Sequence, residues 1–273
     1  RDHGSSRLVE ISNPATPRVY GAGARLLPEK FLEGHIDDLQ QVPVHMEKGS
    51  DGLFGPGDYL LFYAQGPVGW SYNSEEEMFR HRLHSYSWRG YYFLTSDLGV
   101  PDPPQEAPLS TDTPTHTVSS FDFRDYLEEE TYNLINSGKE WYGDNYNVNL
   151  EENYPFELPP LVSGEPLKIA VRVAARSSSN SRFLVYADNN QLGSMQISGT
   201  DLSNYTATHA YEERGVFSYL PSQAAVTLTL AYDRPDSNSE GWLNSITLTG
   251  RSPLNLSDAQ LLFRDSRSAG AGN

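Results

Sequence analysis

The sequence predicts an all-β protein with two β-rich domains, the second a jelly-roll-like antiparallel β-sandwich. Three observations carry that expectation. Apolar residues come in short, strand-sized bursts bounded by Gly, Pro or Asp, which is strand punctuation. Beyond Leu167 the bursts alternate apolar and polar residues with a period of two. Turns, with no helical pattern between them, separate consecutive bursts, which implies antiparallel pairing into two packed sheets.

The first domain is expected over residues 1–98. "RVYGAGARLLPE", "DDLQQVPVHM", "GDYLLFYAQG" and "YSWRGYYFLTSD" supply its aromatic, turn-rich strands. In the strand from Tyr59 to Tyr63, Tyr59, Leu61 and Tyr63 project to one face and Leu60 and Phe62 to the other. Apolar character on both faces predicts a strand covered on both sides, with Phe62 buried. Gly66-Pro67 ends that strand, and Gly69 lets the chain turn so that Trp70 folds back as a packing residue.

"GVPDPPQEAPLSTDTPTHT", residues 99–117, contains five Pro and almost no apolar residue. Pro fixes φ and donates nothing to a ladder, so residues 99–120 are expected to form an extended linker or crossover. The next stretch, "FDFRDYLEEETYNLINSGKEWYGDNY", admits two readings. Leu127, Leu134 and Ile135 fit a short helix ending at Gly138, whereas Phe121, Phe123 and Tyr132 fit strands.

The sandwich is expected over residues 121–251. In "LKIAVRVAA", Leu167, Ile169, Val171 and Val173 alternate with Lys168, Ala170, Arg172 and Ala174. "RFLVYADNNQLGSMQI" reads as two strands around Asn189-Asn190, because Asn tolerates the positive φ of a tight hairpin. "AVTLTLAYD" and "GWLNSITLTG" alternate likewise, and the inner faces are expected to include Ile169, Val171, Val226, Leu228, Ile246 and Leu248. The polar tail, 252–273, reads as a linker toward a further domain.

Composition excludes several functions. Twenty basic and 36 acidic residues among 273 give a net charge of −16, a field that repels phosphate backbones and argues against nucleic-acid binding. No apolar run is long enough to form a membrane-spanning helix; one of the longest, Tyr59–Ala64, is strand-sized. Cysteine is absent, which excludes disulfides, Cys-ligated zinc and a thiolate nucleophile within these residues. "RDHGSSRLVEIS" shows no signal-peptide pattern and no initiating Met, so either a targeting segment has been removed or the chain begins inside a longer protein.

Candidate chemistry is sparse, and no cofactor or metal is expected. Gly21 and Gly23 follow a strand as in a dinucleotide fingerprint, but Leu26 occupies the third glycine's place, so a turn is expected. His81 and His84, with Glu77 upstream, lack evident further ligands and are read as packed or solvated side chains. Glu128-Glu129-Glu130 reads as a solvated face and Asp37-Asp38 as a turn. Asn204-Tyr-Thr and Asn255-Leu-Ser match the glycosylation sequon, a short pattern that arises readily by chance. The candidate binding residues are aromatic: Trp70, Tyr72, Trp88, Trp141 and Tyr142, with Tyr91 and Tyr92 beside them. Aromatic faces stack on pyranose rings, and packing between sheets requires the same residue types.

"PRVYGAGARLLPE", "IDDLQQVPVHM", "GDYLLFYAQGPVGWSY", "YSWRGYYFLTSD", "SGKEWYGDNY" and "GWLNSITLTGRSPL", in that order, resemble the N-terminal region of the PorU family. These are gingipain-like cysteine peptidases that act as sortases of the type IX secretion system in Bacteroidetes. The resemblance runs from about Arg18 to Leu254, and "DYLLFYAQGPVGWSY" and "SGKEWYGD" are its most specific elements. It implies β-rich accessory domains ahead of a caspase-like peptidase domain with a His–Cys pair. It also implies an exported protein at the cell surface or outer membrane, acting on secreted cargo beside an outer-membrane component such as a PorV-like barrel. The peptidase domain would begin after about residue 255, and no residue here matches its nucleophile, so this chain is expected to be the non-catalytic part. Ala24 stands where the family's Tyr-Gly-x-Gly-Gly turn has its last glycine. The alternative function is a free-standing carbohydrate-binding β-sandwich module at the cell surface.

Overall fold

The computed structural model describes residues 16–30, 34–47, 51–96, 99–109, 111, 113–114, 116–136, 140–256 and 261–268. Ser137–Lys139, which open "SGKEWYGD", and Ser257 of the second sequon lie outside the described residues. The described chain contains strands and turns and no helix, as the sequence predicts. It divides into two units: residues 1–69 with 82–113, and residues 70–81 with 114–273.

The first unit holds a three-stranded sheet, ordered β2-β1-β7, from β1 (Arg18–Tyr20), β2 (Gln41–Val42) and β7 (Phe93–Thr95). A separate pair joins β3 (Val44–Glu47) to β4 (Tyr59–Phe62). Phe62 tilts against the Tyr92 ring at 5.3 Å, and the Tyr92 hydroxyl accepts the Gln65 N–H. The expectation that Phe62 is buried needs correcting. Phe62 and Leu60 are half-buried, and Tyr59, Leu61 and Tyr63 are exposed. A two-stranded ribbon has too little surface to cover both faces of a strand. The Gly21–Ala24 segment is irregular and bends at Ala24, with Gly23 at φ 77°. Ala24 is buried against Gly90, where an added Cβ would lie 2.6 Å from the alanine's own, so a glycine opposite makes room for that methyl.

The second unit is built on eight strands: β8 (Ser120–Glu128), β9 (Glu151–Glu157), β10 (Leu167–Arg176), β11 (Ser181–Ala187), β12 (Asn190–Ile197), β13 (Tyr211–Tyr219), β14 (Ala225–Asp233) and β15 (Glu240–Pro253). They form antiparallel sheets ordered β13-β10-β15-β8 and β12-β11-β14-β9, so every consecutive pair except the β11–β12 hairpin passes from sheet to sheet, in jelly-roll order. The alternation read from the sequence fills the space between the sheets. Ile169, Val171, Val226, Leu228, Ile246 and Leu248 are all at most 1% exposed, joined by Phe183, Tyr146 and Tyr232. Pro155 sits in the edge strand β9, where a missing ladder donor is tolerated.

Four sequence expectations are refined. The stretch after residue 120 is the strand β8, followed by an isolated Tyr132–Tyr142 bridge. The β11–β12 hairpin turns on Asp188-Asn189, both at positive φ, and Asn190 already belongs to β12. Residues 70–81, assigned by the sequence to the first domain, belong to the second unit. Finally, polar contacts tie the described part of the tail to the sandwich strands. The Arg264 carbonyl accepts the Asp122 N–H, and Arg251 bridges Asp122 at 2.8 Å and Asp265 at 2.6 Å. A guanidinium this far from water requires both carboxylates, and the second comes from the tail.

Candidate functional site

A dense polar constellation in the second unit lies on the outer face of the β13-β10-β15-β8 sheet. Because side chains alternate, the outward positions form rows across the strands. One row is Arg124, Thr249, Lys168 and Ser218; the next is Tyr126, Thr247, Ala170 and Val216; the third is Glu128, Ser245, Arg172 and Arg214. Lying on these rows is a hairpin of β5 (Gly69–Asn73) and β6 (Met78–Arg82). Its tight turn places Glu77 at φ 51°, while Asn73 Oδ1 accepts the Glu75 and Glu76 N–H groups.

Each row engages the hairpin. The Phe79 N–H donates to Thr249 Oγ1 at 3.0 Å, and Lys168 Nζ donates to the Glu76 carbonyl and to Glu77 Oε2 at 2.7 and 2.9 Å. His81 lies 2.9 Å from Thr247 Oγ1 through Nδ1 and 2.5 Å from Glu128 Oε2 through Nε2. Arg214 donates to both Glu76 oxygens, at 2.6 and 2.9 Å, and this fork holds the Glu76 carboxyl below its usual range. Met78 is fully buried and Phe79 nearly so. The Arg124 guanidinium lies 4.9 Å from both the Trp70 and the Phe79 ring centroids.

Beyond the hairpin the same face becomes acidic. Arg172 pairs with Glu212 at 2.6 Å and reaches Glu140 at 3.7 Å, and Tyr142 donates to Glu212 at 3.4 Å. Burial, reinforced by the charge and hydrogen bond of Glu128 and the charge of Glu140, raises the Glu130 carboxyl to about 7. Burial also raises the Tyr142 hydroxyl. The register between β10 and β15 shifts at Arg172/Val173, leaving Asn244 as an extra residue that donates to the Trp141 carbonyl at 3.2 Å.

The sequence candidates fall in different surroundings. Trp70 packs edge-on to Tyr126 at 5.7 Å under Arg124, and Tyr72 leans on Phe79 at 5.1 Å while keeping 41% of its surface open. Tyr142 is buried beside Trp242 and Ala174, and Trp141 is half-buried. Trp88 and Tyr91 belong to the first unit and are exposed, whereas Tyr92 is half-buried there. His81 is a packed histidine, stacked on Tyr126 at 4.5 Å; His84 accepts the Tyr86 N–H. Glu128 faces His81 rather than water, which corrects the solvated reading for that carboxylate. Among the described residues, no group of three or more His, Cys, Asp or Glu is placed to hold a metal ion.

Sequence reasoning missed Met78, Phe79, Arg124, Lys168 and Arg214. A usable signal was present: Met78 and Phe79 are an apolar pair set between charges in "EEEMFRHR". Chemically the constellation is a clamp. Both His81 ring nitrogens, both Glu76 oxygens and the Lys168 amine are committed to holding the hairpin on the sheet.

Taken together, these features define an all-β chain with a jelly-roll sandwich whose outer face is covered by a hairpin. No protein-family model and no curated protein sequence matches it. Among solved structures, the chain is similar to dimeric latent PorU from Porphyromonas gingivalis, with a TM-score of 0.75 and 21% identity. That likeness covers 93% of this chain and 23% of PorU, and at this identity it establishes a shared fold. Looser likenesses include a family 36 carbohydrate-binding module in complex with calcium and xylotriose, with a TM-score of 0.29 and 13% identity over 46% of this chain and 98% of that one. Another is a family 35 module from Clostridium thermocellum, with a TM-score of 0.30 and 15% identity over 47% and 90%. Superpositions this loose carry no argument.

Proposed function

We propose that this chain is the accessory, non-catalytic region of a PorU-like cysteine peptidase that removes C-terminal secretion signals from cargo at the bacterial cell surface. The observation that carries the reading is the fold correspondence with one stretch of PorU over 93% of this chain. The motifs from "YGAGARLLPE" to "GWLNSITLTG" support it in order along the sequence, and the absence of cysteine fits an accessory part. In this role the region positions the peptidase domain or docks to an outer-membrane component such as a PorV-like barrel. The carbohydrate-binding alternative gains nothing from Trp70 or Tyr142, whose rings are occupied by protein contacts.

Reading the coding sequence downstream of Asn273 tests this. A caspase-like domain bearing a His and a Cys is expected, and an immediate stop or an unrelated domain would refute the proposal. Purified chain is expected to cleave no peptide, because it lacks a thiolate.

A further inference from the structure

One stretch of the first unit reverses the charge of the chain around it. From Arg82 to Thr95 there is no Asp or Glu, although the chain carries 36 acidic residues. Arg82 and Arg89 are both exposed, and among the described residues neither is in an ion pair. The segment that connects β6 to β7 also holds Tyr86, Trp88 and Tyr91 open to solvent, at 72%, 65% and 68%. Unpaired cations beside open aromatic rings, in a chain of net charge −16, suit a partner that is anionic and has an apolar layer.

Local contacts hold these side chains outward. Ser87 Oγ donates to the Arg89 carbonyl at 2.8 Å and accepts the Arg89 N–H at 3.2 Å, which fixes the backbone on both sides of Trp88. The Tyr86 N–H donates to His84 Nδ1 at 3.2 Å. Gly90 lies close against Ala24, and Tyr92 packs on Phe62 and accepts the Gln65 N–H, while the adjacent Tyr91 stays open. Tyr and Trp join a polar atom to an apolar ring and so settle where water meets hydrocarbon, and Arg pairs with phosphate oxygens. We propose that the 82–91 segment is a membrane-surface contact. Tyr86, Trp88 and Tyr91 seat among the headgroups of an anionic lipid layer, and Arg82 and Arg89 meet its phosphates. The contact needs no peptidase domain and stands apart from that reading.

Charge sets the conditions. The chain as a whole is acidic, so the patch attracts an anionic surface only at short range. At 0.1 M salt, charges more than about 10 Å from the surface are largely screened, which leaves the two arginines to act; at 1 M the range falls to about 3 Å and their pull weakens. Binding is therefore expected to be tighter at 0.1 M than at 1 M salt, and tighter on anionic than on neutral lipid. Trp88 reports the contact directly, because Trp70 and Trp141 are half-buried and Trp242 is buried.

Sedimentation of the full chain with lipid vesicles is the test, with phosphatidylcholine alone set against an equal mixture of phosphatidylcholine and phosphatidylglycerol. Binding to the mixed vesicles is expected to be at least about tenfold tighter. Arg82→Glu combined with Arg89→Glu is expected to weaken it at least about tenfold, and Trp88→Ala at least about threefold. These side chains are exposed, so melting should be unchanged in the variants. Lipid brominated near the headgroup is expected to quench the tryptophan emission of the wild type. Trp88→Phe, which keeps an aromatic ring, is expected to bind without that quenching. A chain that fails to sediment with the mixed vesicles would overturn the proposal. So would binding indifferent to the double charge reversal, or emission that bromination leaves unchanged. Full competition by inorganic phosphate at constant ionic strength would also overturn it, by marking a site for free phosphate rather than a lipid surface.

Discussion

The two faces of the β13-β10-β15-β8 sheet use the same four strands and are closed by different physics. Inside, Ile169, Val171, Ile246 and Leu248 meet the second sheet as a dry apolar layer. Outside, Thr247 and Thr249 are each 6% exposed, yet they are covered through hydrogen bonds, ion pairs and one cation–π sandwich with the 70–81 hairpin. Apolar burial is non-directional and tolerates small shifts, whereas a polar face must match its cover group by group. The inner face therefore sets how stable the sandwich is, and the outer face sets which segment binds to it.

The largest effect is expected inside. Leu248→Ala should destabilise the second unit by about 3–5 kcal/mol in urea unfolding, from lost transfer energy plus the residual cavity. A loss below 1 kcal/mol would mean that the inner layer is looser than described. At the end of the outer face, Arg251→Ala should cost about 3 kcal/mol, because Asp122 and Asp265 would remain buried without their counter-charge. Adding Asp122→Asn to Arg251→Ala should recover part of that loss, and a fully additive double variant would exclude the shared network.

Smaller changes are expected where the hairpin is held. Trp70→Ala should lower the melting temperature, consistent with about 1–2 kcal/mol, by removing the ring that Arg124 and Tyr126 share. Unchanged melting together with lost glycan binding would instead favour the carbohydrate-binding reading. The smallest effect is a pH dependence. Glu130 holds its proton more tightly in the folded chain, at about 7, than the ordinary carboxyl value of 4.5. Its contribution to stability is full below 4.5 and is lost as pH rises through about 7. Melting temperature should therefore fall between pH 5 and pH 8, and Glu130→Gln should flatten that fall. An identical profile in wild type and variant would contradict it.

The inner layer was legible because a half-buried strand writes its buried face into the sequence every second residue, as "LKIAVRVAA" and "AVTLTLAYD" do. The outer face was not. Lys168, Thr247 and Thr249 read as solvent-facing, and only a partner 91 to 170 residues away in sequence shows otherwise. Nor does local pattern separate a strand covered on both sides from one that is apolar and open, and for this reason the Tyr59–Tyr63 strand was misjudged. Of the candidate site, Trp70 lies against other protein side chains. Its actual neighbours, Arg124 and Tyr126, lie in a stretch whose sequence fitted helix and strand equally.

Amide hydrogen exchange over residues 78–81 tests most directly whether the hairpin is part of the sandwich. Protection of the Phe79 N–H within about tenfold of the β14 amides is expected, since it donates to buried Thr249 beneath a fully buried Met78. Exchange of that amide as fast as in the exposed 101–109 segment would mean that the outer face is open and that the clamp does not hold.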